Sequence, residues 1–208
     1  MNLSRCVKLN DRTIYNYENK NLLPKSVNSC INVIHQVRFD DDRKKAAVAH
    51  VLASLLHEPS YKTLRTTEQL GYTVKLAKNE VLKVIHISIM VQSNKFNCDY
   101  LEHRINEFLI AHAAFTERSI ELNKAGIINT FEQKSTNLQQ EAQLNWAQLT
   151  SKEFDFDRRE QQIAAMQSVT AEEVNALMTE VFFQNPRRIN LKVHSHAHAA
   201  DIAKRQES

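Results

Sequence analysis

Hydrophobic and polar positions alternate through the first forty residues. Arg5–Leu9 and Thr13–Glu18 read as strands flanking a turn at Asn10, Asp11 and Arg12, and Asn19–Pro24 as a polar loop. Ser29–Val37 is a longer β-rich run. Asp40, Asp41 and Asp42 then supply an N-cap and negative charge for a helix start. Val48, Val51, Leu52, Leu55 and Leu56 follow at i, i+3, i+4, i+7 and i+8, which predicts an amphipathic helix ending at Pro59. Ser60–Tyr72 is expected to be a short helical or irregular stretch with Gly71 at its exit. Tyr72–Leu76 and Val81–Gln92 read as a pair of strands. Ile85, Ile87, Ile89 and Val91 line one face of the second, against His86, Ser88 and Gln92 on the other.

From Cys98 the period becomes helical. Asp99 and Glu102 fit a capping box, ahead of the stripe Leu101, Ile105, Phe108, Leu109 and His112. A second helix is predicted from near Thr116, carrying Ile120, Ile127, Ile128 and Phe131, with Gly126 inside it. A third spans Leu138–Leu149. Thr170 and Glu173 form a further capping box, with Val169 and Val174 at staple positions, and Val174, Leu177, Met178, Val181 and Phe182 continue the stripe. Pro186 precedes a last strand, Arg188–His194, with Ile189, Leu191 and Val193 on one face. The order is β-β-β-α-(α)-β-β-α-α-α-α-β. This predicts an α+β fold with an antiparallel-rich sheet and helices packed on one face. Residues 1–195 are expected to form one domain and 196–208 a polar, His-containing tail.

Composition removes several function classes. Gly71 and Gly126 are the only glycines of 208 residues, so no GxGxxG, GxxxxGK[ST] or GxSxG motif can be written. Classical dinucleotide folds, P-loop NTPases and α/β-hydrolases are out. Net charge is +3 with dispersed basic residues and 7% aromatics, unlike a nucleic-acid binder's basic stripe. Cys6, Cys30 and Cys98 are odd in number and far apart, which fits neither a disulfide framework nor a zinc finger and suits a reducing compartment. Met1–Leu9 lacks an apolar leader core, and Ala46–Leu56, the longest apolar stretch, falls well short of the ~20 residues of a membrane span. No membrane and no nucleic-acid partner is expected.

Metal and nucleophile candidates are sparse. His194, His196 and His198 alternate and could meet a transition metal if the tail is extended; a solvated tail is the plainer reading. Neither His-Glu-x-x-His nor His-x-x-Glu-His occurs, His57-Glu58 has no second His at the required spacing, and His103 and Glu107 lack a third ligand. No metal ligands are assigned. Cys98 sits at a helix start, where a thiolate can be stabilised, but no signature ties it to a His.

One segment stands above this background, the run from Pro59 to Val74 with Leu64-Arg65-Thr66 and Glu68-Gln69-Leu70-Gly71-Tyr72 at its centre. It is a polar turn between a core helix and a core strand. Gly71 can supply φ > 0 for a chain reversal. If Leu64–Leu70 is helical, Arg65 and Tyr72 project from one side. The structural alternative is an Arg65–Glu68 pair and a Tyr72 packed at a strand start.

The string Leu-Arg-Thr-x-Glu-Gln-Leu-Gly-Tyr resembles a signature of the insulysin, nardilysin and pitrilysin family of inverted zincin metallopeptidases. Gln92-Ser93, Lys134-Ser135, Phe154-Asp155-Phe156-Asp157-Arg158 and Pro186-Arg187-Arg188 resemble the family's pattern in the same order, from about Val7 to His194. The resemblance is to the last of four homologous domains. It implies that zinc belongs to the N-terminal half of a complete enzyme, whose two halves enclose a chamber, and that this chain is no enzyme by itself. It further implies that Arg65 holds substrate backbone near the scissile bond, and that the Tyr72 hydroxyl supports the oxyanion. Peptide substrates, a cytoplasmic location, and contact with the preceding domains or another chain through an apolar face are expected. The alternative is a stand-alone inactive member that binds peptides or serves assembly.

Overall fold

A computed structural model describes residues 6–196 apart from 24, 40–41, 83, 134–136, 152–153 and 155. Five strands, β1 (Thr13–Lys20), β2 (Ser29–Phe39), β3 (Thr73–Val81), β4 (Val84–Ser93) and β5 (Arg187–His194), form one sheet in the order β1-β5-β2-β4-β3. Only the β1–β5 pair is parallel. The described residues form six α-helices: α1 (Arg43–Ser60), α2 (Cys98–Ala111), α3 (Glu117–Glu132), α4 (Leu138–Ser151), α5 (Arg158–Gln167) and α6 (Ala171–Thr179). The α+β architecture agrees with the sequence reading.

The core lies between one face of the sheet and the helices. Ile85, Ile87, Ile89 and Val91 of β4 are buried, and the register sets Ile31, Val33 and Val37 of β2 beside them on the same face. Helix α1 covers β3 and β4, and α2 covers β2 and β5, while α3, α5 and α6 pack on α1. Val51, Leu52 and Leu56 of α1 are fully buried, as the periodicity predicts. Asp42 is the N-cap, accepting from the amides of Lys44 and Lys45 at 2.9 and 3.4 Å. Asp40 and Asp41 lie outside the described residues.

Five expectations need correction. No strand forms over residues 6–10; instead Gln36 tethers this segment, its Oε1 accepting from the Leu9 amide at 2.8 Å and its Nε2 donating to the Val7 carbonyl at 2.9 Å. Pro59 does not end α1. The helix runs through Ser60 and widens into a π-helical turn over Tyr61–Thr67. The N-cap of α2 is Asn97, whose Oδ1 accepts from the Tyr100 amide at 2.9 Å, so Asp99 and Glu102 lie inside the helix. Helix α5 was not anticipated: Met166 is its one buried residue and Asp157 makes no side-chain cap. Helix α6 stops at Thr179, and Val181 and Phe182 belong to a second π-helical turn. The Thr170–Glu173 capping box is present in both halves.

Strand β5 reverses the usual alternation. Arg188, Asn190 and Lys192 stand on the helix-covered face, in register with His35, Val33 and Ile31, and are all buried. Ile189 and Leu191 turn to the open face, beside Ile34 of β2 and the exposed Tyr15 and Tyr17 of β1. The cations are neutralised from α2. Arg188 Nη2 and Nη1 donate to Glu102 and Asn106 at 2.8 Å each, and Lys192 Nζ lies 2.8 Å from Glu102 and 2.9 Å from Asp99. Burial alone would depress Lys192; the Glu102 and Asp99 contacts more than offset it and hold the ammonium raised. His194, the last residue of the expected strand, is a buried β5 residue whose Nε2 is 3.5 Å from Glu18.

The two glycines have unlike roles. A Cβ on Gly71 would lie 1.9 Å from the Gln92 carbonyl oxygen, whereas one on Gly126 meets nothing within 4 Å. Gly71→Ala is expected to destabilise the fold by about 1–3 kcal/mol. Gly126→Ala is expected to stabilise it by roughly 0.5–1 kcal/mol. Urea unfolding midpoints of the two variants check both signs.

Buried histidines set the acid limb of stability. Burial, then the charge of Arg188, pushes His35 down to about 3. Burial and Lys78 push His50 down to about 4. Each folded-state value lies below the ordinary 6.5, so the unfolded chain binds protons first. The stability contribution is complete above about 6.5 and is lost as pH falls from there toward 4 and 3. Urea midpoints should fall between pH 7 and pH 5, and His50→Leu should flatten that decline.

Candidate functional site

Helix α1 delivers the chain into the π-helical turn, where Leu64 is fully buried and anchors the segment. The Glu68 amide donates to the Thr63 carbonyl at 2.9 Å, and the Leu70 amide to the Leu64 carbonyl at 3.0 Å. The left-handed residue of the reversal is Gln69 (φ 51), not Gly71 as the sequence suggested. Gly71 is required for a different reason: the backbone here passes against the Gln92 carbonyl of β4, with no room for a side chain. Tyr72 then precedes β3 directly.

This geometry brings Arg65 and Tyr72 together. The Arg65 guanidinium carbon lies 5.3 Å from the Tyr72 ring centroid and 4.8 Å from that of Tyr61. Tyr72 is 86% exposed and Tyr61 43%. Tyr72 is therefore not packed at the strand start. The Arg65–Glu68 pair does not form either, because Glu68 belongs to Arg104 of α2 through two hydrogen bonds of 2.8 Å. Tyr61 was missed in the sequence, although its spacing of four from Arg65 places the two on one side of a helical turn. A guanidinium over tyrosine faces is held by cation–π attraction while its N–H groups remain free to donate in its own plane.

The other sequence candidates stand apart. Cys98 is fully buried, its Sγ is 3.5 Å from the Cys30 and Val193 carbonyls, and burial pushes the thiol up to about 12. Such a thiol is no nucleophile. His57, Glu58, His103 and Glu107 are exposed on helix faces. The exposed His196 ring nitrogen is 2.9 Å from the Asn21 carbonyl. His198, Lys134, Ser135 and Asp155 lie outside the described residues. Among the described residues no three His, Cys, Asp or Glu side chains converge as metal donors, so these residues do not fit a zinc ion. Among them also, no helix is long and apolar enough to cross a membrane.

Residues 51–146 match the family model "PQQ synthase PqqF-like, C-terminal lobe domain 4". The match spans the Arg65–Tyr72 segment, β3, β4 and α2. The relatives that the chain matches are peptidases of the insulysin–pitrilysin family. The human insulin-degrading enzyme is 27% identical over 203 residues, 95% of this chain and 19% of the relative. The A-factor-processing enzyme of Saccharomyces cerevisiae is 29% identical over 176 residues, 80% of this chain and 17% of the relative. The crystal structure of pitrilysin superposes with a TM-score of 0.78 at 19% identity, covering 90% of this chain and 20% of that one. The chain spans about a fifth of the length of these curated insulysin-type relatives.

Proposed function

We propose that this chain is the non-catalytic last domain of an insulysin-like zinc metalloendopeptidase. It forms part of the chamber wall and presents Arg65 and Tyr72 to a peptide substrate. The observation that carries this reading is the Tyr61–Arg65–Tyr72 cluster, a half-buried cation held against two exposed phenols and making no ion pair among the described residues. Arg65 binds and orients the peptide by donating to main-chain carbonyls. The Tyr72 hydroxyl donates one directed bond to the oxygen on which negative charge grows. Zinc, which supplies the activated water, is placed in the N-terminal half. The preceding domains, or another chain, pack on the apolar open face around Ile34, Ile189 and Leu191, and the location is cytoplasmic. The second reading, an inactive peptide-binding or assembly protein, draws on the same open face and needs neither the Arg65 nor the Tyr72 chemistry.

Kinetics in the complete peptidase separate the two. Tyr72→Phe is expected to lower kcat by on the order of 10² with little change in KM, because its bond strengthens only as charge develops. Arg65→Ala is expected to damage both parameters. Neither should shift unfolding by more than about 0.5 kcal/mol, since neither side chain belongs to the core. An unchanged kcat for Tyr72→Phe would remove the oxyanion role, and a large loss of stability would show that activity was reporting the fold.

A further inference from the structure

The carboxylate nearest Arg65 in sequence is Glu68, three positions on. Opposite charges at that spacing on a helical stretch ordinarily pair. Here Glu68 is taken by Arg104 instead, Oε2 accepting from Nε and Oε1 from Nη2, each at 2.8 Å. This two-point geometry is the strongest and most directional form of a guanidinium–carboxylate contact. The Glu68 side chain is only 18% exposed, so its charge needs a cation close by. Arg65, by contrast, lies over the rings of Tyr61 and Tyr72 and makes no ion pair among the described residues.

We propose that Arg104 is a positioning residue for Arg65. By occupying both oxygens of Glu68, it keeps that carboxylate from capturing the neighbouring guanidinium, which stays over the two tyrosines with its N–H edge available to peptide carbonyls. The use of that edge rests on the substrate-clamp reading of Arg65; the competition of the two arginines for Glu68 stands without it. The pair also joins the turn to α2, so one contact fixes the height of the segment over the sheet and the freedom of its cation.

Side-chain NMR on the full chain tests this, because ring currents from Tyr61 and Tyr72 move the Arg65 methylene protons upfield while the guanidinium lies over them. Arg104→Ala is expected to abolish that upfield shift, as Glu68 draws Arg65 out. Adding Glu68→Gln to Arg104→Ala is expected to restore it, although the Arg104 contact is absent from both variants. A merely bracing role predicts no such rescue. An unchanged shift in Arg104→Ala overturns the proposal, and so does a double variant that fails to regain the shift. Should Arg104→Ala not fold, Arg104→Gln with and without Glu68→Gln carries the same pair of expectations. If this NMR pattern holds while Arg65→Ala leaves turnover by the complete peptidase unchanged, the clamp reading fails and the positioning of Arg65 by Arg104 stands.

Discussion

Two cations on the covered face of β5 constrain much of the rest. Arg188 and Lys192 are buried where an isolated charge is not tolerated, and removing one partner of such a contact costs about 3–5 kcal/mol. Their carboxylates come mainly from α2, through Glu102 and Asp99, with Glu18 of β1 at 3.4 Å from Lys192. Asn190 closes the cluster by donating to Glu102 at 2.9 Å and to Asn16 at 2.7 Å. Apolar packing would let α2 slide along the sheet, since it has no directional demand. Paired and hydrogen-bonded charges do have one, and they fix both the register and the rotation of the helix.

Once α2 is fixed, Arg104 is fixed, and so is the turn it holds through Glu68. The same turn is pinned at three other points by unrelated forces. Leu64 is sunk in the core, Gln69 takes the left-handed reversal, and Gly71 slides under the Gln92 carbonyl. Arg65 and Tyr72 thus project from a segment whose backbone is heavily determined while their side chains remain near solvent. Loops that carry chemistry commonly depend on such a rigid support.

What could be read from the sequence followed the strength of each local signal. Long apolar stripes, as in α1 and β4, and the reciprocal Thr170–Glu173 cap were readable because several residues point to one answer. Helix α5 was not, since a single buried Met166 gives no period. Pro59 misled because its local rule, that proline ends a helix, yields here to a wider turn that the buried Leu64 supports. At the site, the pairing of Arg65 with Tyr72 was foreseeable from the motif. The competing arginine was not, because Arg104 lies 36 positions from Glu68 and nothing local announces the contact. Gly71 drew attention for its rarity, but the reason for it lies in the Gln92 backbone, which only the fold brings close.

The reversed alternation of β5 bears on how the domain is used. In an antiparallel sheet with one face in water, apolar residues point inward and polar ones outward. Strand β5 does the opposite, with Arg188, Asn190 and Lys192 inside and Ile189 and Leu191 outside, next to Tyr15 and Tyr17 on β1. Holding charges inside has a desolvation cost that the partners on α2 and β1 offset, and leaving apolar residues outside forgoes burial worth about 25 cal/mol per Å². A domain that worked alone in water would gain from the opposite arrangement. The pattern favours a sheet with two covered faces, one covered by its own helices and the other by a neighbour. That pattern supports the proposed joint on the open face, and the Arg65–Tyr72 cluster, carried on the turn ahead of the edge strand β3, stands at the opposite margin of the sheet from β1. A neighbour seated on β1 and β5 would leave the cluster facing whatever space the two bodies enclose.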